Sequence, residues 1–367
     1  MDRQVAGRED KDLAGVMEKF VCVRIIQGWG MDLSLFQFDY ELTWAVFLMN
    51  ADKAIYGRYG SRSDHKNTSK DISIEGLKKA LEGALELHAA YPGNKKELAG
   101  KTGPKLPFPT PESIPEVRGK PYAKPADGTR GGCIHCHNAI QPDPWSLRNS
   151  KQPLPDKVLW QYPMPDKLGF SLDPKERATV VSVAPGSPAE KAGFKAGDIV
   201  KRMEGQPLLS IADVQWVLHA AKEPGSVKIE VGRSGEKQEL TLALAAGWRH
   251  ADNFAWRLIS WSMRHKLLGT EPLEVVPAEE KKTMGIPDAS MAIRIQRFPP
   301  DWVKEKNTQG AQKLKQGDVI IDVDGNRKLT TEAELLAYLF QKKQPGQAAT
   351  LTVVRGGKPQ QIQLTIP

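Results

Sequence analysis

The sequence predicts a multidomain chain of mixed α/β and mostly-β structure, in which one domain occurs twice. Three observations predict this fold class: a length of 367 residues, a proline-rich stretch near residue 100, and an internal repeat in the second half. Globular domains usually hold about 100 to 200 residues, so the length favours about two to four domains.

Composition and charge exclude two classes of protein. The net charge of +8 and the pI of about 9.2 come from Lys and Arg spread along the whole chain, without a basic block or stripe. This pattern argues against nucleic-acid binding and leaves an acidic partner or an anionic surface possible. The longest apolar stretch, Trp44–Met49, is far shorter than the roughly 20 residues of a membrane helix. We therefore expect no membrane span.

The pattern of strands and helices predicts an α/β domain over residues 1–92. The strand candidates are Phe20–Ile26, Leu42–Asn50 and Ala54–Tyr59, and the last two form a hairpin. The free thiol of Cys22 lies in the first of these apolar runs and is expected to be a core residue. An amphipathic helix follows, because apolar side chains recur at helical spacing from Ile74 to His88.

This N-terminal part resembles the C-terminal two-thirds of a thioredoxin-like fold, with Trp44–Lys53 as its central hairpin. Two features depart from that family. No Cys pair precedes the first strand, and Leu42-Thr43-Trp44 stands where the family has a cis-proline. The resemblance therefore implies the fold without thiol–disulfide activity at the usual place. Residues 93–125 then form a proline-rich linker of extended backbone.

The second half contains an internal repeat of about 120 residues. Ala192–Val200 matches Gln312–Ile320, and Val227–Leu244 matches Ala349–Ile366. Each copy has a Gly-Asp turn into an apolar strand, a helix, a Pro-Gly turn and a hairpin closed by Ser-Gly or Gly-Gly. Two copies of one β-rich domain are expected.

These copies resemble PDZ domains of the permuted kind found in bacterial HtrA-type periplasmic proteases. The resemblance implies a first PDZ-like β-barrel domain over 163–246 and a second over 267–367, joined by a Trp-rich helix over 247–266. It also implies that Lys167, Leu168, Gly169 and Phe170 form a carboxylate-binding loop for a peptide C-terminus. In the second copy Glu271 and Pro272 oppose anion capture, which favours a structural or dimerising role.

The string Cys133-Ile134-His135-Cys136-His137 has the spacing of a c-type haem attachment motif. Two thiols three residues apart reach two vinyl groups of one haem, and the adjacent His137 reaches the iron. We therefore expect one covalent haem c, held by Cys133 and Cys136 within a segment over 126–162. A disulfide redox pair and a zinc site are the alternatives. The segment is too short to enclose a haem alone.

The second axial ligand of the iron stays open between several candidates. His88 lies on the apolar stripe of the predicted helix, and Met164 stands between two prolines. The segment Trp248–His265 is a third possible source of this axial ligand. Two strong ligands would indicate electron transfer, whereas an open position would indicate gas sensing or peroxide chemistry.

Together these features resemble exported bacterial fusions of a thioredoxin-like domain, a haem c motif and two PDZ domains. The expected function is an extracytoplasmic haem protein for electron transfer or sensing, whose PDZ domains bind a partner. The alternatives are a PDZ scaffold with a structural haem and a peroxidase-like haem enzyme. No catalytic nucleophile with a matching base is recognisable. The expected partners are a redox protein or a peptide C-terminus, with a homo-oligomer possible. Because haem c is attached outside the cytoplasm, a periplasmic or other extracytoplasmic location is expected.

Overall fold

The computed structural model describes residues 10–64, 70–115, 117–118, 120, 132–140, 144–300 and 308–367. The chain divides into two compact units. Unit 1 comprises Met1–Gln141 and Gln161–Asp252, and unit 2 comprises Pro142–Trp160 and Asn253–Pro367. The first repeat copy lies in unit 1 and the second in unit 2.

The strands of the described residues are, in chain order, β1 Val46–Met49, β2 Ile55–Tyr59, β3 Phe170–Leu172, β4 Val180–Val183, β5 Ile199–Met203, β6 Gln206–Pro207, β7 Gly225–Arg233, β8 Glu236–Leu244, β9 Leu273–Val275, β10 Ile293–Ile295, β11 Val319–Val323, β12 Ala348–Arg355 and β13 Lys358–Thr365.

The α-helices of the same residues are α1 Lys11–Met17, α2 Ile74–Ala89, α3 Lys95–Leu98, α4 Pro144–Asn149, α5 Asp156–Leu159, α6 Pro188–Ala192, α7 Ile211–Ala220, α8 Leu258–Leu267, α9 Ala278–Thr283, α10 Gln309–Lys313 and α11 Glu332–Ala337.

The N-terminal part of unit 1 is a hairpin packed on a long helix. Strands β1 and β2 pair antiparallel, with Phe47 opposite Arg58. Helix α2 starts where the Ser73 hydroxyl accepts the amide of Gly76 at 2.8 Å, an N-cap that its sequence favours. Its buried face includes Leu77 and Ala84. The predicted hairpin and amphipathic helix are confirmed.

The predicted strand over Phe20–Ile26 is wrong. This segment has no regular structure, and Val21 and Val23 are 95% and 82% exposed. Cys22 is exposed too, so its interpretation as a core residue is also wrong. A β-branched run becomes a strand only where a partner strand satisfies its backbone groups. In the described residues the sheet of this part has two strands. A thioredoxin-like domain, which needs a larger sheet, is therefore not shown.

The proline-rich stretch supplies apolar side chains to a separate hydrophobic cluster. Ile114 and Val117 are buried there against Met31, Leu33 and Tyr40. The described part of the stretch also holds helix α3 and short 3-10 turns at 99–101 and 111–113. Proline-rich backbone without periodicity can therefore still be ordered by packing on its neighbours.

The first repeat copy has a two-stranded sheet, β3–β4, and a four-stranded sheet of order β6-β5-β7-β8. An isolated bridge between Thr179 and Ile199 joins the two sheets. Helix α7 packs Val214 and Leu218 onto a core that includes Phe170 and Val231. The second copy has one sheet of order β13-β12-β11-β10-β9. Mixed α/β structure with β-sheet repeat domains is thus confirmed.

One buried ion pair recurs in both copies and explains the repeated sequence. After Gly197, which has φ +88°, the carboxylate of Asp198 accepts both the Nε and the Nη2 of Arg233, at 2.6 and 2.7 Å. In the second copy Asp318 accepts the same two donors of Arg355, both at 2.7 Å. A bidentate Arg–carboxylate pair fixes the turn against the closing hairpin.

Loss of this pair should destabilise each unit. Burial would raise the pKa of Asp198, but Arg233 and the amide of Lys195 hold that pKa below its usual value. Asp198→Ala leaves Arg233 without its partner, and we expect unit 1 to lose about 3 kcal/mol of unfolding free energy at pH 7 in urea titrations.

Because the folded pKa of Asp198 is depressed, the stabilisation is present above about pH 4, the unfolded value, and disappears as the pH falls through the folded pKa. Lys237→Ala, on the exposed tip of the β7–β8 hairpin, is the control and should change stability little. Equal stability of Asp198→Ala and wild type at pH 7 would contradict the role of the pair.

Candidate functional site

The loop Lys167–Phe170 is built as a tight turn into strand β3. Pro165–Leu168 forms a 3-10 turn, and Gly169 follows with φ +90°. A Cβ at Gly169 would lie 2.1 Å from the Cβ of Ser187, so both the conformation and the close approach require glycine. The predicted loop residues Lys167, Leu168 and Gly169 therefore lie in this turn, and Phe170 is the first residue of β3.

The side chains of the loop divide into a buried floor and one charged residue. Leu168 and Phe170 are fully buried, and the Phe170 ring stacks on Phe194 at 4.7 Å. Lys167 lies 3.0 Å from Asp166 and 4.0 Å from Asp252. Burial lowers the pKa of Lys167, but these carboxylates outweigh it and raise the pKa, so Lys167 stays cationic.

Two of the loop amides are engaged inside the turn. The amide of Lys167 donates to the carbonyl of Met164 at 3.2 Å, and that of Gly169 donates to the carbonyl of Asp166 at 3.0 Å. The carbonyl of Gly169 accepts the amide of Ala184 at 2.8 Å, which ties the loop to the end of β4. The loop is thus rigid on the side of its own domain.

Helix α7 packs against the segment of chain that leads into this loop. Its N-cap is Ser210, and every residue from Ile211 to Leu218 is buried. Gln215 donates to the carbonyl of Tyr162 at 2.7 Å, and His219 stacks on the Tyr162 ring at 4.1 Å. The chain therefore passes along α7 immediately before it enters the loop.

The corresponding loop of the second copy follows helix α8. Gly269 has φ +67° and Thr270 is fully buried. Behind this loop the Nη1 of Arg264 donates to Glu332 at 3.1 Å. The backbone amide of Leu273 lies near enough to this carboxylate to lower its pKa. Leu273 is the first residue of β9, the edge strand to which a peptide would add.

A buried ion pair of its own domain thus lies beside the loop of the second copy. Burial raises the pKa of Glu332 to about 7, although Arg264 and Leu273 oppose that shift. Sequence reasoning named Glu271 and Pro272 as obstacles and missed Arg264 and Glu332. A capping box of Thr331 and Glu334, visible in the sequence, places Glu332 in the first turn of α11 but does not reveal its partner.

The haem-type motif lies in a 3-10 turn on the cluster around Met31. Ile134 is buried, and its carbonyl accepts the amide of Gly28 at 2.8 Å. Cys133 is exposed, Cys136 is half-buried, and both thiols are free. The ring of His137 stacks on His135 at 5.5 Å, and burial together with His135 lowers the pKa of His137.

The two proposed axial ligands have other partners. His88 lies at the exposed end of α2, with its Nδ1 2.7 Å from the Tyr56 hydroxyl. Met164 is buried in the core of the first repeat copy beside Tyr162 and Leu168. In the part of the chain that the structure describes, no group of three or more His, Cys, Asp or Glu side chains is placed to hold a metal ion.

Comparison with known proteins identifies the repeated domain. Residues 166–244 and 285–366 match the family model described as PDZ domain, so the chain contains two PDZ domains. Its relatives include three bacterial proteins named as periplasmic serine endoproteases.

A probable DegP-like endoprotease of Marinomonas sp. (strain MWYL1) is 28% identical over 54% of this chain and 39% of its own length. The pH-dependent endoprotease DegQ of Escherichia coli (strain K12) is 32% identical over 52% of this chain and 36% of its own. A DegP-like endoprotease of Pseudomonas putida (strain W619) is 34% identical over 52% and 38%. The chain thus spans about two fifths of the relatives it matches.

Two solved structures are similar to parts of this chain at low identity. The HtrA3 PDZ domain bound to a phage-derived ligand is 24% identical, with a TM-score of 0.18, and covers 21% of this chain and 81% of that chain. The serine endoprotease from Yersinia pestis is 22% identical, with a TM-score of 0.18, and covers 18% and 25%.

These relatives correct the expected function. They are named as serine endoproteases and not as haem proteins, so the prediction of a haem c held by Cys133, Cys136 and His137 is wrong on this finding. The predictions that depend on this haem fall as well. They are the iron-ligand roles of His88 and Met164, the electron-transfer and sensing functions, and the two alternative functions that include a haem. A short string of residue types does not fix the surroundings that would enclose a haem.

The expected location outside the cytoplasm is confirmed by the relatives, which are periplasmic. The described residues contain no helix that is long and apolar enough to cross a membrane.

The thiols should differ in reactivity. Burial raises the pKa of the Cys136 thiol, whereas Cys22 and Cys133 are exposed. Because the thiolate is the nucleophile, we expect Cys136 to react with iodoacetamide at pH 8 at least about threefold more slowly than the other two. Peptide mapping by mass spectrometry after timed alkylation measures this, and equal rates in urea are the control. Faster alkylation of Cys136 in the folded protein would contradict its burial.

The stability of unit 2 should depend on pH through Glu332. Since the folded pKa of Glu332, about 7, exceeds the unfolded value near 4.3, the folded state binds more protons between these two values. The unfolding free energy of unit 2 should therefore fall as the pH rises from about 5 to 8, by up to about 3 kcal/mol.

Glu332→Gln removes this titration and should flatten the profile in urea melts at several pH values. Glu271→Gln, which alters a neighbouring carboxylate that contacts His265, is the matched control and should keep the slope. A wild-type slope retained in Glu332→Gln would show that another group titrates.

Proposed function

We propose that the chain is a peptide-binding protein of the periplasm whose first PDZ domain captures the C-terminal segment of a protein partner. The observation that carries the proposal is the turn Lys167–Phe170, which combines a glycine-dependent conformation with a cationic side chain at the start of β3. An incoming carboxylate would meet Lys167 and the loop backbone, while the peptide adds as a strand to β3.

Differences between the two copies support the first as the binding domain. Strand β3 pairs with β4 on one side, and in the described residues no strand pairs along its other edge, to which a peptide could add. In the second copy the buried carboxylate of Glu332, which pairs with Arg264, lies near the amide of Leu273 at the edge strand β9. We assign the second PDZ domain a structural role, as its sequence indicates.

Peptide binding should depend on a free C-terminal carboxylate. We expect the intact chain to bind a fluorescein-labelled decapeptide ending in valine, and amidation of that peptide should weaken binding at least about tenfold, because a charge-assisted contact is lost. Lys167→Ala should weaken it about threefold or more. Fluorescence anisotropy at low salt measures both.

Lys237→Ala, which removes an equal charge from an exposed hairpin, serves as the matched control and should bind like wild type. Equal affinity for the carboxylate and amide peptides would refute carboxylate recognition by this loop.

A further inference from the structure

Helix α7, one wall of the first groove, is packed against the chain's own N-terminal hairpin. The hydroxyl of Ser210 donates to the carbonyl of Arg58 at 2.5 Å, and the amide of Arg58 donates to the carboxylate of Asp213 at 3.1 Å. The indole of Trp216 donates to the carbonyl of Gly100 at 2.9 Å. In each contact the two residues are more than 100 positions apart in the sequence. Together the contacts hold α7 against the N-terminal part.

The turn after β3 is held by helix α2. The hydroxyl of Ser73 donates to the carbonyl of Pro174 at 2.9 Å. Arg177 makes a bidentate pair with Glu86 at 2.8 and 2.7 Å, and Lys79 pairs with Glu176. The turn after β3 and helix α7 are therefore both held by the N-terminal part.

Close approach at this contact depends on glycines. A Cβ at Gly57 would lie 2.8 Å from the Leu209 side chain, and one at Gly83 would lie 2.6 Å from it. A Cβ at Gly76 would lie 2.0 Å from the Pro174 carbonyl oxygen. Any side chain at Gly76 must push α2 away from the turn after β3.

The end of β2 and the backbone that follows it lie beside both contacts. Tyr59, Gly60 and Ser61 line one small cavity together with Pro174 and Ile211, and Ser61 is only 4% exposed. Pro174 follows β3 and Ile211 begins α7, so this is the end of the groove where an added strand would enter.

Acidic residues of the same N-terminal part reach the loop electrostatically. Asp64 is one of the carboxylates that raise the pKa of Lys167, and Asp166 in turn raises that of Asp71. Negative charge near Lys167 opposes an incoming carboxylate. The position of the N-terminal part and its negative charge therefore both oppose the entry of a peptide.

We propose that residues 57–61 and the adjacent face of α2 form a built-in cover of the first PDZ groove, which must move away before a peptide can bind. The inference rests on the proposed peptide-binding function. The cover and the incoming peptide compete for the space between the turn after β3 and the start of α7, so loosening the cover should strengthen peptide binding.

Two variants of the intact chain loosen the cover by different means. Gly76→Val introduces the clash with Pro174, and its matched control is Gly15→Val, in helix α1, where a Cβ meets nothing within 4 Å. Lys79→Ala/Glu86→Ala removes two surface ion pairs without adding bulk and leaves the PDZ residues unchanged. It therefore keeps the test valid if Gly76→Val does not fold.

Affinity for the labelled decapeptide ending in valine is measured by anisotropy, with folding checked by circular dichroism. We expect the double variant to bind about two- to tenfold more tightly than wild type, Gly76→Val to bind more tightly still, and Gly15→Val to bind like wild type. Peptide binding that is equal in wild type and both folded loosened variants would overturn the cover and leave the proposed function intact. No binding by any folded variant would overturn the proposed function and the cover together.

Discussion

The architecture of unit 1 depends on one buried carboxylate, that of Asp213 in helix α7. Only 1% of this side chain is exposed, and it accepts the amides of Arg58 and Leu209 at 3.1 and 2.9 Å and lies 2.9 Å from the ammonium of Lys101. Burial lowers the pKa of Lys101, and Asp213 opposes that shift. A buried charge without its partners is costly, so the hairpin, the proline-rich stretch and the first PDZ domain must come together in one arrangement.

Arg58 extends this network to the segment before the hairpin. Its Nε donates to the carbonyl of Gln37 at 3.0 Å, its Nη2 donates to that of Lys101 at 2.7 Å, and its guanidinium lies 3.8 Å from the centre of the Trp216 ring. Burial lowers the pKa of Arg58 to about 10, which leaves it charged at neutral pH. One side chain thus connects three stretches of sequence that share no local pattern.

Sequence reasoning succeeded where structure is local and failed where it depends on distant partners. The hairpin, helix α2 and the two repeats follow from periodicity, caps and Gly-Asp turns, which a short window contains. The Arg58–Asp213 contact joins residues 155 positions apart, and the Arg264–Glu332 pair joins residues 68 apart. Phe20–Ile26 has strand composition but no partner strand, and the Cys133–His137 string specifies residue types without specifying their surroundings.

Each PDZ domain has its own obstacle to peptide binding, and the two obstacles differ in how easily they can be removed. Arg264 and Glu332 belong to one domain, so opening the second groove would leave at least one charge buried without its partner. The cover of the first groove combines exposed ion pairs such as Arg177–Glu86 with the buried charge of Asp213. When the cover separates, the exposed pairs are replaced by hydration at little cost. Asp213 keeps Lys101 and the amide of Leu209 as partners and loses only the amide of Arg58. The first groove is therefore the one that a competing peptide can open.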